Sequence, residues 1–502
     1  MGPFSSLKIE PFSGTFFRKR SLQLAAFCML SGLLLKSRFV TDKILLFAES
    51  VFSIQLNREF REAGFSMTGS CLMLIGFIMI LYRLSLKSLN IHSERRFFLF
   101  AALLIPAFYW FTLHRQAVNV PITDDYYTIL NFLNSFILLP DLHQQWNMIW
   151  QPYVETRIVM TKLLAVGMWK ITGVISFTWF IYLINVAVTI IGCLLVSSVQ
   201  LKKNGFLVLS VFFVLFQFSY YDAGLWTTAG IHIVLTMLFS FSACYFLQKS
   251  SVYFFLLALT AALLASFTYG NGLLVFPVGM LMLVTNRARW QLIVWIFCFL
   301  ALLFIYFDQY VPVRSLHVLT DTNPLALLVY CLAFWGSAVQ FMYRLELPVA
   351  AGSLFLLIFL WLTKKKYYMV NAFNYCLMLY VVLSALVAGF FRLSHNEVQQ
   401  ALANRYVIYS CTGITAMLIA IAEMNQERFR KKLTGWILFS SVMYFLLSAF
   451  FFYPETEIRK NKLNAFITAV KSNQKVEFAP PVIPSGADTI IHLAMKNGFY
   501  RP

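Results

Sequence analysis

The chain has 502 residues, 60% of them hydrophobic, 17% aromatic and only 12% charged, and carries a formal net charge of +19 at pH 7. Water-soluble domains hold roughly 25% charged residues, so a soluble enzyme is excluded. The excess Lys and Arg lies in short clusters between apolar runs, the positive-inside pattern of membrane loops, and this scatter argues against nucleic acid as a partner.

In chain order, Arg18, Lys19 and Arg20 precede an apolar stretch with no small-residue cleavage site after it, which predicts an uncleaved first span at 21–40. Residues 41–65 mix Asp42, Lys43, Glu49, Arg58, Glu59, Arg61 and Glu62 with apolar residues and predict an interfacial helix. A second span follows at 66–84. Further apolar runs of bilayer length cover 96–113, 174–199, 205–221, 230–247, 252–268, 272–286, 290–308, 346–363, 368–391, 405–423 and 434–452. In lipid the backbone must satisfy its own polar groups, so each run is predicted helical. The fold class expected is an all-α integral membrane protein with about 13 transmembrane helices.

Placing Arg95 and Arg96, Lys202 and Lys203, Lys249, Arg287 and Arg289, Lys364 to Lys366, and Arg428 to Lys432 in the cytoplasm gives one consistent path. Residues 324–343 are apolar enough to span, but spanning would move Lys364 to Lys366 outside. A re-entrant hairpin turning near Gly336 avoids this. Three parts result: 1–95 with two extra spans; a module at 96–453 with outer loops 114–173, 309–345 and 392–404; and an outer tail at 454–502. All 8 Cys lie in apolar segments without a CxxC pair, predicting neither disulfides nor a zinc site.

The chemistry-bearing residues collect on the predicted outer face. The first long loop contains Thr123-Asp124-Asp125-Tyr126-Tyr127 ahead of an apolar helical pattern at 125–138, with Thr123 or Asp124 as N-cap. Adjacent helical residues point about 100° apart, so the two carboxylates take different targets: a reacting hydroxyl for one, a positive group or metal for the other. Later in the loop stands Val154-Glu155-Thr156-Arg157-Ile158, with a helix expected from near Val154 because Pro152 breaks what precedes it. A third cluster holds Arg392, His395, Arg405 and Tyr406. Arg405, at the mouth of a span, suits a phosphate because its planar fork donates two parallel hydrogen bonds. Tyr269-Gly270-Asn271-Gly272 forms a turn in which Asn271 offers donor and acceptor. Asp222, Trp226, His232, Asp308 and His317 read as structural polar residues.

Together these motifs resemble the GT-C superfamily of membrane glycosyltransferases. Thr123-Asp124-Asp125-Tyr126-Tyr127 is similar to the acidic motif those enzymes place in the first long outer loop. Glu155 and Arg157 match two positions of the Asn-Glu-His-Arg-Ile-like stretch of largely uncharacterised bacterial members; the Asn and His of that stretch are missing. Asn271-Gly272 and Arg405-Tyr406 resemble recurring segments of the group. The resemblance covers about 96–453 and leaves residues 1–95 unexplained.

It implies transfer of a sugar from a polyprenyl-phosphate donor to a glycan, lipid or protein acceptor, at the periplasmic or outer face of a bacterial inner membrane, in surface-glycan biosynthesis. Asp124 or Asp125 would act as base in an inverting displacement. Glu155, Arg157, Asn271, Arg392, His395, Arg405 and Tyr406 would bind substrate or phosphate. Members of the superfamily divide between metal-dependent and metal-independent enzymes; no metal ligand is assigned here, and a divalent cation is left open as cofactor. A surface-polysaccharide polymerase or ligase would rely on outer Arg and His without the acid pair. A transporter would show paired repeats, broken helices or midplane ionisable residues; this chain shows no internal repeat and few acids buried mid-span.

Overall fold

A computed structural model describes residues 14–37, 40–41, 58–87, 91–154, 156–199, 205–249, 251–308, 310, 323–341, 344–393, 397–472, 483–484 and 486–502. Among these the regular elements are all helical; the strand-like pairings are two isolated bridges. Nine helices of the described residues are long and apolar enough to cross a membrane, and five further apolar helices are shorter. The chain is a multi-pass, all-α membrane protein, as its composition demands. Of the interfacial helix expected at 41–65, residues 42–57 lie outside the described residues, and 58–65 open the helix Arg58–Lys87.

Two compact units divide the chain. The first comprises residues 1–112, 199–218 and 418–457. Its helices Gly14–Leu34 and Arg58–Lys87 touch backbone to backbone. A Cβ added to Gly32 would stand 2.6 Å from the Gly69 carbonyl oxygen. Without a hydrophobic drive between helices in lipid, such close approach of small residues supplies the packing. In the same unit Gly64 of the second helix meets Phe450, and Gly205 meets Phe98. Chain order places no limit on which lipid-embedded helices pair.

The second unit comprises residues 113–198, 219–417 and 458–502. It contains the helices Phe177–Ser197, Thr227–Leu247, Val252–Thr268, Gly270–Thr285, Arg289–Phe307, Pro324–Trp335, Glu346–Lys364 and Ala372–Arg392. The helix Pro324–Trp335 has 12 residues. At 1.5 Å each it is about 18 Å long, short of the roughly 30 Å hydrocarbon core. Gly336 then turns the chain, and its missing side chain is required: a Cβ there would lie 1.9 Å from the Pro348 carbonyl oxygen.

Two predicted boundaries shift. The last apolar run belongs to a 45-residue helix, Glu427–Lys471, that continues through Pro454. Residues 454–471, read from sequence as the start of a tail, are therefore helical. The helix expected from Val154 begins instead at Val159. Val154 adopts φ +54°, and Tyr153 and Thr156 exchange backbone hydrogen bonds of 2.8 and 3.1 Å, so the chain makes a tight turn first.

Candidate functional site

The acid loop follows the helix Ile91–Gln116. Thr123, directly before the acid pair, has φ +47°. A β-branched residue in the left-handed region is strained, and such strain gathers at functional sites. The helix then opens with wide π turns over Tyr126–Asn131, another feature common at functional sites. The carbonyl of Asp124, not its side chain, starts the helix by accepting from the Tyr127 and Thr128 amides.

The two carboxylates have separate fates. Asp125 is fully buried. One oxygen accepts from the Ile122 amide at 3.0 Å; the other accepts from the Thr228 amide at 2.7 Å and the Thr228 hydroxyl at 2.6 Å. It staples the acid loop to the start of the helix Thr227–Leu247. Asp124 is half-buried, and a single hydrogen bond reaches its carboxylate, from the Tyr153 hydroxyl to Oδ1 at 3.2 Å. Its second oxygen is left for another group.

Burial pushes the Asp125 carboxyl up to about 7, against the pull of the Thr228 and Ile122 hydrogen bonds and with a small push from Asp124. Unfolded, the group titrates near its ordinary 3.8. Between these values the folded chain holds a proton that the unfolded chain has released. The group's stabilising contribution is therefore complete below pH 3.8 and is lost as pH rises to about 7. Thermal unfolding of the protein in detergent, followed across that window, is expected to show a falling midpoint, and Asp125→Asn to flatten the fall. The same variant turns an amide NH2 toward one of two backbone N–H donors. It is expected to cost about 1–3 kcal/mol and to lower abundance in membranes.

The second half of the loop is held by buried cations. The helix Leu142–Trp150 ends with its last carbonyls unpaired, as every helix does. Lys162 Nζ donates to the Met148 and Gln151 carbonyls at 2.8 and 2.7 Å. Arg157 donates through Nη1 to the Trp150 carbonyl at 2.6 Å, through Nε to the Tyr306 carbonyl at 2.7 Å, and through Nη2 to the Asp308 carbonyl. Positive charge at a helix C-terminus also complements its dipole. Arg157, 1% exposed, thus clamps the loop to the end of the helix Arg289–Phe307 and commits three of its N–H groups to backbone. Asp308, read as structural, takes part through its carbonyl. Arg157→Ala is expected to destabilise the protein by roughly 3 kcal/mol or more, since hydrogen bonds to charged groups contribute about 1.5–3 kcal/mol each. Arg157→Lys is expected not to rescue it, a single ammonium being unable to reach three divergent carbonyls. Thermal midpoint and membrane abundance check both. Glu155 lies outside the described residues, as do His395 and His317.

Of the remaining candidates, Arg392, Arg405 and Tyr406 lie around Tyr269. Arg392, half-buried at the end of the helix Ala372–Arg392, donates to the Tyr269 hydroxyl at 3.2 Å and lies within electrostatic reach of Tyr153. The Tyr269 ring stacks on His232 at 4.9 Å between centroids. His232 sits in a second π segment, Ile231–Leu235. Arg405 is half-buried beside Trp226 and Tyr406, its guanidinium 5.5 and 5.1 Å from their ring centres. No carboxylate of the described residues lies within ion-pair distance of it. Asp222 is nearby, but it already binds Arg459 at 2.6 Å. Asn271 is buried on a turn that Gly272 permits, where a Cβ would stand 2.0 Å from the Ala265 carbonyl oxygen. The Asn271 carbonyl accepts from the Tyr380 hydroxyl at 3.3 Å.

Asp124 thus meets Tyr153, Arg392 reaches both Tyr153 and Tyr269, and Arg405 and Tyr406 lie near Tyr269, while Arg157 and Asp125 hold the loop that carries Asp124 and Tyr153. Asp222, Trp226 and His232, read from sequence as structural, line the same region, and Tyr153 and Tyr269 join them without having been singled out. Among the described residues no group of three His, Cys, Asp or Glu side chains is placed to hold a metal ion. No protein-family profile, curated protein or solved structure matches the chain.

Proposed function

We propose that the chain is a GT-C-type glycosyltransferase that moves a sugar from a polyprenyl-phosphate donor to a hydroxyl acceptor. The observation that carries this is the half-used carboxylate of Asp124 on Tyr153, with Arg392 in electrostatic reach of that tyrosine and bonded to Tyr269, beside which Arg405 also lies. Asp124 takes the proton from the acceptor hydroxyl as its oxygen bonds to the anomeric carbon. The bond from that carbon to the phosphate oxygen breaks, and the electron pair leaves with the phosphate. Attack from the face opposite the phosphate inverts the anomeric centre. Arg405 and Arg392 offset the charge that grows on the leaving phosphate. Asp125, Arg157 and Lys162 keep the two loops in place.

In this account the thirteen spans and the re-entrant hairpin at 324–343 set the site at the outer surface of a bacterial inner membrane. The helix Leu142–Trp150 lies along the interface, in keeping with its exposed Leu142 and Trp146. Lys and Arg clusters at the opposite ends of the spans anchor the cytoplasmic side.

Purified protein in lipid bilayers, offered polyprenyl-phosphate sugars and nucleotide sugars side by side, tests the donor class. Transfer from lipid-linked donors alone is expected. Transfer from nucleotide sugars with the lipid donors inert would remove the proposal.

A further inference from the structure

The helix Ala487–Lys496 buries Ala487, Ile491 and Ala494, whose spacing marks one face. It packs on Tyr126–Asn131 and Phe132–Phe136, the helical segments that follow the acid pair. Asn134, itself buried, joins the two: its Nδ2 donates to the Ile490 carbonyl at 3.3 Å, and its Oδ1 accepts from Asn497 Nδ2 at 2.9 Å. Gly498 then turns the chain with φ +79°, a conformation that side chains rarely adopt.

Beyond that turn, residues 499–501 reach both ends of the long loop. The Phe499 carbonyl accepts from the Ile175 amide at 2.6 Å. The Tyr500 hydroxyl donates to the Asn119 carbonyl at 2.7 Å, and the Arg501 carbonyl accepts from Asn119 Nδ2 at 2.8 Å. Asn119 Oδ1 accepts in turn from the Phe177 amide at 2.8 Å. The Tyr500 ring stands edge-on to Phe177, with centroids 5.7 Å apart, and Phe177, Phe499 and Tyr500 are all buried. One segment thus ties down Asn119, just ahead of the acid pair, and the helical turns just after it. Between these anchors lies Thr123 with its positive φ. Such strain persists only where the surroundings over-determine it.

We infer that residues 487–501 form a strap that sets the conformation of the acid turn at 119–125. Its bond to Asn119 crosses 382 positions of sequence, so the turn takes its shape from a remote segment as well as from its own residues. Loosening the strap frees the turn locally, without unfolding the helices around it. The strap is read from packing and hydrogen bonds, and it stands whatever reaction the turn serves.

The test is hydrogen–deuterium exchange of the full chain in lipid nanodiscs, read by mass spectrometry on peptides covering 119–131, with 398–406 as the reference. Two mild variants loosen the strap. Tyr500→Phe keeps the ring against Phe177 and loses the hydroxyl that reaches Asn119. Gly498→Ala adds a methyl with open space around it, at a φ that a side chain resists. Each is expected to speed exchange at 119–131 by about three- to tenfold, the effect of one lost hydrogen bond or one strained residue on a local opening. The reference is expected to keep the parent rate. Parent rates at 119–131 in either variant, or an equal acceleration at 398–406, would overturn the inference.

Discussion

Asp124→Asn is expected to lower the rate of sugar transfer by about 10²–10⁴-fold, the usual contribution of a positioned general base, while membrane abundance stays at the parent level. The two halves of this expectation have separate causes. The substitution keeps an acceptor for the Tyr153 hydroxyl, whose bond to Oδ1 is the single hydrogen bond to the side chain. Nothing buried loses a partner, so folding is spared. What is lost is a carboxylate able to receive a proton. Asp125→Asn is expected to behave in the opposite way, because that side chain is enclosed by three donors. Abundance would fall first, and the loss of activity would follow it. On the proposed function, adjacent acids in one motif would separate into a chemical role and a structural one. Measuring transfer per mole of folded protein in both variants distinguishes them.

Arg405→Ala is expected to reduce kcat by roughly 10²–10³-fold, the effect of removing one preorganised group that stabilises developing negative charge. Arg405 stands at the mouth of the helix Asn404–Met424 against the Trp226 and Tyr406 rings. The rings attract the cation without neutralising it. The nearest acid, Asp222, is engaged by Arg459. The positive charge is therefore available to a ligand, in contrast to Arg157, whose guanidinium is bound by carbonyls. Arg405→Lys keeps the charge but loses the planar fork, and is expected to fall between parent and Ala. Steady-state kinetics with a lipid-linked donor separate an effect on kcat from one on KM. An unchanged rate in Arg405→Ala would remove its phosphate role and leave that of Asp124 standing.

The membrane-embedded helices were legible because an apolar run of bilayer length has one way to satisfy its backbone. Lengths were less so. The polar, charged end of the helix Glu427–Lys471 lacks the apolar signal, and Pro454 suggests a stop that the structure does not make. The start at Val159 was hidden because the positive φ of Val154 contradicts that residue's own preference. The acid motif was readable, yet adjacent letters could not show that one carboxylate is enclosed by Ile122 and Thr228 and the other is not. Arg157 and Arg405 look alike in sequence, each a cation beside an apolar run. They differ through the helix end at Trp150, which meets Arg157. His232 and Asp222 read as isolated polar residues because their neighbours are distant in the chain. The π turns at Tyr126–Asn131 and Ile231–Leu235 leave no trace in composition or periodicity.

The most direct measurement is the initial rate of sugar transfer from a polyprenyl-phosphate donor by the parent protein and by Asp124→Asn, each purified, reconstituted in lipid and normalised to folded protein. The account predicts steady turnover by the parent and a residual rate at least 100-fold lower for the variant. Equal rates for the two proteins would contradict it.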